Sequence, residues 1–353
     1  MSVAGSWRRD LTVGALAMAI AAVLVVPQFV SGGADPTTLL RVGTYAPARP
    51  YVERSFPNPV LTADFGHDGQ QFYVVASAFP DLRSATPYVD NIHYRARRIL
   101  FPLLASPFPD GPALVWAMFA INLLAIGAGA VALARIAQQL RAPPMVGLII
   151  GASPAMIESL QGSLGDALAF SLALWGVALW RRHLGWAVLL FTLAALSRET
   201  TLVVALACFV VGDRREKVRL VIPFAAAAAW SLAIIAWLPL PATAAETTFI
   251  DEVTKQLGWP FVGWVHLGLT DVGTLTALVL LIGAVFGAVA MWNVRRELSW
   301  WLVFDGILLV LSGPGVLERP FNIVRIAPLV LPAIALALTV PRSSRRSPAL
   351  AAS

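Results

Sequence analysis

Of the chain's 353 residues, 58% are hydrophobic and only 13% charged, whereas a soluble domain carries about a quarter charged residues; a soluble globular domain is excluded. The single cysteine, Cys208, excludes an internal disulfide. The formal net charge of +6 lies largely in basic pairs at the ends of apolar runs, a membrane-topology signal and not a nucleic-acid surface.

In chain order the apolar runs are 11–30, 113–134, 143–159, 166–180, 184–197, 200–212, 220–238, 272–293, 299–316 and 322–340, which predicts about ten membrane spans. With the N-terminus inside, the cytoplasmic segments carry Arg8 and Arg9, Arg135 and Arg141, Arg181 and Arg182, Arg214 to Arg219, Arg295 and Arg296, and Arg342 to Arg346. The short outer loops carry only Arg198, Lys255, Arg319 and Arg325. The bias points one way at every loop, so both termini are expected to be cytoplasmic and the protein multi-pass in the cell (inner) membrane. The expected fold is all-α: residues 1–353 form a single integral membrane domain, a polytopic transmembrane helix bundle.

Residues 31–112 read as one large extracytoplasmic loop. Its aromatics, among them Phe56, Phe65, Phe72, Tyr88 and Phe101, predict that it is ordered and packed on the membrane surface. Two stretches read as short interfacial helices. One is 69–78, opened by Asp68. The other is 94–105, with Arg95, Arg97 and Arg98 on its polar side, Ile99, Leu100, Phe101 and Leu103 toward lipid, and a kink at Pro102. A smaller outer loop, 239–271, holds Trp259, Trp264 and His266; its tryptophans are expected to anchor at headgroup depth.

Residues with chemistry concentrate outside. The densest cluster is Asp64-Phe-Gly-His67-Asp68-Gly-Gln70-Gln-Phe72-Tyr73. Asp68 fits a helix N-cap, and equally a general base at the membrane surface. The small side of Gly69 would let a substrate approach the backbone. Asp64, His67 and Asp68 are also conceivable ligands for a divalent metal, although their spacing matches no standard site, and no metal or other cofactor is expected. Next come Tyr94, Arg95, Arg97, Arg98 and Pro102, whose arginines suit either anionic headgroups or a clamp on a lipid phosphate.

The turn Ser197-Arg198-Glu199-Thr200 lies between apolar stretches too short to span, which places an Arg and a Glu below the surface, paired with each other or at work. Asp166 reads as an N-cap. Glu318, Arg319 and Arg325 flank the last outer turn, and Asp305 sits within the predicted ninth span, where it needs a partner or a proton.

These motifs resemble a known family. A first helix, a large outer loop opening on an acidic motif and a chain of further helices look like the GT-C superfamily of integral membrane glycosyltransferases. His67-Asp68-Gly69-Gln70-Gln71-Phe72-Tyr73 resembles the YDGQFYY signature of a poorly characterised bacterial group within it. The stretch from Tyr94 to Leu104 resembles that group's YRxRRILYPLL, and Leu196-Ser197-Arg198-Glu199-Thr200 its LTRET. The resemblance implies an inverting transfer of a sugar from a polyprenyl-phosphate donor to an envelope glycan or lipid acceptor outside the cytoplasm. Asp68 would be the base, with Asp64 as the alternative. Arg95, Arg97, Arg98, Arg198 and Arg325 would bind phosphate, and His67, Gln70, Tyr73, Tyr94, Asp166 and Glu199 would support. His67 stands where the group often has Tyr. The competing readings are a transporter or lipid flippase and a non-catalytic scaffold of envelope assembly. Membrane lipids are expected partners in each case, and nucleic acid in none.

Overall fold

In a computed structural model of the chain, which describes residues 3–63, 65–238, 257–268 and 270–341, nearly all regular structure is helical. Four helices are long and apolar enough to cross a membrane: Trp7–Ser31, Pro112–Gln139, Arg214–Trp237 and Val272–Met291. Their starts follow from local chemistry. Pro112 occupies a first-turn position whose N–H has no helical partner anyway. Asp213 and Glu216 form a reciprocal capping box. Asp271 accepts from the backbone of Gly273 and Thr274. Large apolar side chains such as Leu232, Val279, Ile282 and Val289 lie exposed on these helices, as expected of surface that meets lipid.

The other apolar runs take shorter or broken forms. Asp166–Leu179 and Leu184–Ser197 have 14 residues each, which at about 1.5 Å per residue gives about 21 Å against an apolar layer of about 30 Å. Pro320–Ile326 and Val330–Thr339 meet at 55° and amount to one span only as a bent pair. The run 143–159 is a 3-10 segment, Pro144–Ile150, followed by an α-helix, Pro154–Gln161. Pro143, Pro144 and Pro154 each remove a backbone donor and break the turn before them. Length and composition therefore support four spans, or five with the bent pair.

Segment 31–112 is built from short helices and one two-residue parallel pairing, Val42–Gly43 with Leu61–Thr62. It has its own apolar core of Val74, Val75, Leu82, Val89, Ile92 and Ile99, which packs on Ile234 and Leu238 at the end of the Arg214–Trp237 helix. Phe72, Tyr73 and Phe101 join the core of the bundle. The first predicted helix forms as Asp68–Ala78, but nine of its 11 residues are buried, so it is an interior helix and not one lying on the membrane surface.

The second is divided into Ile92–Arg97, capped by Asn91, and Leu100–Ala105. The break falls at Arg98 and not at Pro102 because a proline ring collides with the carbonyl four residues upstream, which here belongs to Arg98. Arg98 leaves the helical region accordingly, at φ −91° and ψ 45°. Ile99 and Phe101 consequently face the interior, and of the residues assigned to lipid Leu103 is exposed. Trp264 is also turned inward: it is buried, and its ring N–H donates to the Leu309 carbonyl at 3.1 Å. Trp259 is exposed. Residues 239–256 and 269 of that loop lie outside the described residues.

Candidate functional site

Five stretches, at Asp68, Arg95 and Arg98, Asp166, Arg198 and Glu199, and Arg325, bring their charged side chains together where segment 31–112 meets the bundle. Asp68 is the first residue of its helix, behind an extended His67. It does not cap that helix. Its carboxylate reaches Arg95 Nη1 at 2.8 Å, Arg325 Nη2 at 3.4 Å and Arg98 Nη1 at 3.9 Å. Asp166, also expected to be a cap, likewise turns to guanidiniums. Its Oδ2 accepts from Arg325 Nη2 at 2.9 Å and Nε at 3.2 Å, and its Oδ1 contacts Arg198 Nη1. Arg325 thus bridges two carboxylates, Asp68 and Asp166. Both acids still sit in the first turn of a helix, where the peptide dipoles favour negative charge.

Arg198 and Glu199 do not pair with each other. Extended backbone at Arg198, φ −158° and ψ 118°, sends neighbouring side chains to opposite sides. Glu199 instead accepts a fork from Arg98, at 2.9 and 2.7 Å. Arg95 makes a second fork with Asp90, at 2.8 and 2.5 Å. Tyr94 carries the cluster: the guanidiniums of Arg98, Arg95 and Arg97 lie 4.3, 5.0 and 5.3 Å from its ring centre, a cation–π arrangement. Its hydroxyl accepts from Arg98 Nη2 at 2.5 Å.

The electrostatics follow from this geometry. Burial works to raise the Asp68 carboxyl, but Arg95, Arg325 and Arg98 outweigh it and hold it well below the usual carboxylate range. Burial likewise opposes charge on Arg95, and Asp68 and Asp90 overcome it, so Arg95 stays protonated. Burial pushes the His67 imidazole down to about 3, assisted by Arg325 and Arg41 against the pull of Asp68, so His67 is neutral near pH 7. Access separates the two bridged acids: the Asp68 side chain is 22% exposed and that of Asp166 is 6%. Only Asp68 of this pair is open to an incoming molecule.

Other predicted site residues have structural roles. Gln70 accepts from the Gly43 N–H at 3.1 Å and donates to the Phe65 carbonyl at 2.6 Å. The Tyr73 hydroxyl accepts from the Gly111 N–H at 2.9 Å, which ties the segment to the start of the Pro112–Gln139 helix. The space beside Gly69 is not open to substrate, because a Cβ there would lie 2.2 Å from the Gly162 carbonyl oxygen. Glu318 and Arg319 remain exposed. Asp64 lies outside the described residues, and among those described no three His, Cys, Asp or Glu side chains converge as metal ligands.

One pair escaped the sequence reading. Arg41 forms a fork with Glu158, at 2.5 and 3.2 Å, and His67 Nε2 lies 3.7 Å from the same carboxylate. An ionised residue inside the apolar run 143–159 was the available signal. Beside the Asp166–Arg198–Arg325 group lies a cavity whose wall also includes Phe170, Trp301 and Asp305. The chain matches no protein family, no curated protein and no solved structure.

Proposed function

We propose that this protein is a membrane glycosyltransferase that moves a sugar from a polyprenyl-phosphate donor to an extracytoplasmic acceptor with inversion. Asp68 acts as the general base. The observation that carries the proposal is the arginine-held, solvent-reachable Asp68 beside a helical bundle with membrane-spanning helices. The acceptor hydroxyl gives its proton to Asp68 as its oxygen bonds to the anomeric carbon. The bond from that carbon to the phosphate oxygen breaks, and the electron pair goes to the departing lipid phosphate. Arg325, Arg98 and Arg198 stabilise that charge without a metal.

At rest the guanidiniums are occupied by carboxylates, and a carboxylate so held is a weak base. The donor phosphate is a competing anion for the same arginines. As it engages Arg325 and Arg98 their hold on Asp68 loosens, and the affinity of Asp68 for a proton rises when the acceptor needs it. Binding of the donor and arming of the base are one event in this reading. The orientation that goes with it has both termini cytoplasmic and the Asp68 cluster outside, in line with the arginine distribution.

The test is transfer by purified protein from a polyprenyl-phosphate sugar, guided by glycan and glycolipid profiling of a deletion strain. Asp68→Asn should lower transfer at least about a hundredfold in protein that still folds. Near-normal transfer by folded Asp68→Asn protein sinks the assignment. The bent pair at 55° and the buried Asp305 favour a second reading, a transporter or lipid flippase. That reading requires dependence on Asp305 with tolerance at Asp68.

A further inference from the structure

Asp90 has no part in the chemistry described so far, but it stands one residue removed from the base. It accepts from Arg95 Nε at 2.8 Å and Nη2 at 2.5 Å, and the remaining nitrogen, Nη1, faces Asp68 at 2.8 Å. Arg98 repeats the arrangement: Glu199 holds its Nε and Nη2, and its Nη1 lies 3.9 Å from Asp68. In both arginines the two-nitrogen edge that suits a carboxylate fork is already filled, and Asp68 meets the outer nitrogen. At Arg95 that contact brings charge without an aligned hydrogen bond, because the buried Nη1 has no hydrogen-bond partner among the described residues. Asp90 is also tied to the helix that carries the base. Its N–H donates to Oε1 of Gln71, at 3.3 Å, on the Asp68–Ala78 helix, and its Oδ1 accepts from Asn91, which caps the helix of Arg95.

We propose that Asp90 is a positioning residue for the base: by filling the Nε–Nη2 edge of Arg95 it keeps that arginine from forking Asp68, and so leaves the Asp68 oxygens open to the proton of the acceptor. The catalytic consequence rests on the transferase reading; the coupling of Asp90 to Asp68 through Arg95 does not. A carboxylate forked by a guanidinium has its lone pairs engaged and its affinity for a proton lowered. Without Asp90 the freed edge of a buried guanidinium must find another anion, and Asp68 is already within reach of Arg95. Phosphate is assigned to Arg325, Arg98 and Arg198, so the loss falls on proton transfer and not on donor binding. The Asp90 side chain is 44% exposed, so a small carboxylate can enter the place it vacates.

The test uses the full-length protein in nanodiscs and two readouts. In transfer from a polyprenyl-phosphate sugar, Asp90→Ala should lower kcat about tenfold, part of the hundredfold or more that a general base supplies, with the donor KM little changed. Added formate should restore much of that kcat by forking the vacated edge of Arg95. Asp90→Asn, whose carboxamide still fills the place and can accept from Asn91, should lower kcat and gain nothing from formate. In Asp68→Asn protein the further change Asp90→Ala should cost no additional transfer, because both substitutions act through one group. A purely structural Asp90 predicts a loss that formate leaves in place and that adds in full to Asp68→Asn; that result overturns the proposal, as does wild-type kcat in Asp90→Ala. The second readout needs no transfer: the rate at which a water-soluble carbodiimide and an amine label Asp68, followed by mass spectrometry. Asp90→Ala should slow that labelling several-fold, whereas a loosened fold would speed it. Slower labelling in a protein that transfers nothing keeps the coupling and removes the transferase, and an unchanged or faster rate removes the coupling.

Discussion

Asp68 stands between two demands, because the arginines that recruit an anionic donor also depress the basicity of the carboxylate beside them. The pH profile should record this. With its pKa held well below the ordinary aspartate value of about 3.9, Asp68 stays ionised in the free protein throughout the neutral range. We expect kcat/KM to remain flat down to about pH 5, with its acid limb lower still, and the limb of kcat to lie higher because bound donor draws the arginines away. An acid limb of kcat/KM near pH 6 to 7 would assign the base to another group. The same depression stabilises the fold above the unfolded-state pKa, and the contribution is lost as pH falls through the folded value. His67, neutral from pH 5 to 8 with its pKa near 3, should add no titration in that window, and His67→Gln should leave the shape of the profile unaltered there. Arg325 makes a sharper residue-level prediction. Its guanidinium donates to Asp166 through both Nε and Nη2 and reaches Asp68 from the same Nη2, a planar arrangement that an ammonium cannot reproduce. Arg325→Lys should keep only part of the transfer activity and Arg325→Gln far less, both read as kcat/KM. Equal activity of the two would remove Arg325 from the phosphate site.

Among the elements, the Asp68–Ala78 helix is positioned by its contact with the chain at Gly162. An added methyl at Gly69 would lie 2.2 Å from the Gly162 carbonyl and 3.1 Å from that of Leu40, and neither backbone atom can rotate away. Gly69→Ala should therefore destabilise the protein by about 1–3 kcal/mol, visible in thermal unfolding, and shift Asp68 away from its arginines. Unchanged stability would show that this helix start tolerates displacement. Pro102 acts at the same scale by dividing Ile92–Arg97 from Leu100–Ala105. A continuous helix from 92 to 105 would turn Arg98 with its neighbours; the break releases it toward Glu199 and Asp68.

For the whole molecule, the 28-residue Pro112–Gln139 helix separates two polar ends. It begins beside Tyr73 and ends at Arg295, whose Nη1 donates to Gln139 at 2.8 Å. If the Asp68 end is extracytoplasmic, a cysteine at Ser84 should react with an impermeant reagent from outside and one at Ser343 should not. The native Cys208 is buried and gives little background, and Ser343 lies outside the described residues. Labelling at Ser343 alone would invert the orientation. Composition and apolar runs by themselves determined the helical, membrane-type bundle, because hydrophobic length is a local property that survives in one dimension. The Asp68 helix was legible for a similar reason, being a short run opened by a polar residue. The partners of Asp68, Asp166, Arg98 and Glu199 were not. The sequence predicted caps for the two aspartates and allowed a mutual pair at Arg198 and Glu199, which are local solutions. Tertiary structure replaced them with ion pairs spanning up to 257 positions of chain. Buried guanidiniums must find anions wherever the fold puts them, and an aspartate at a helix start gains more from a desolvated arginine than from an exposed backbone donor.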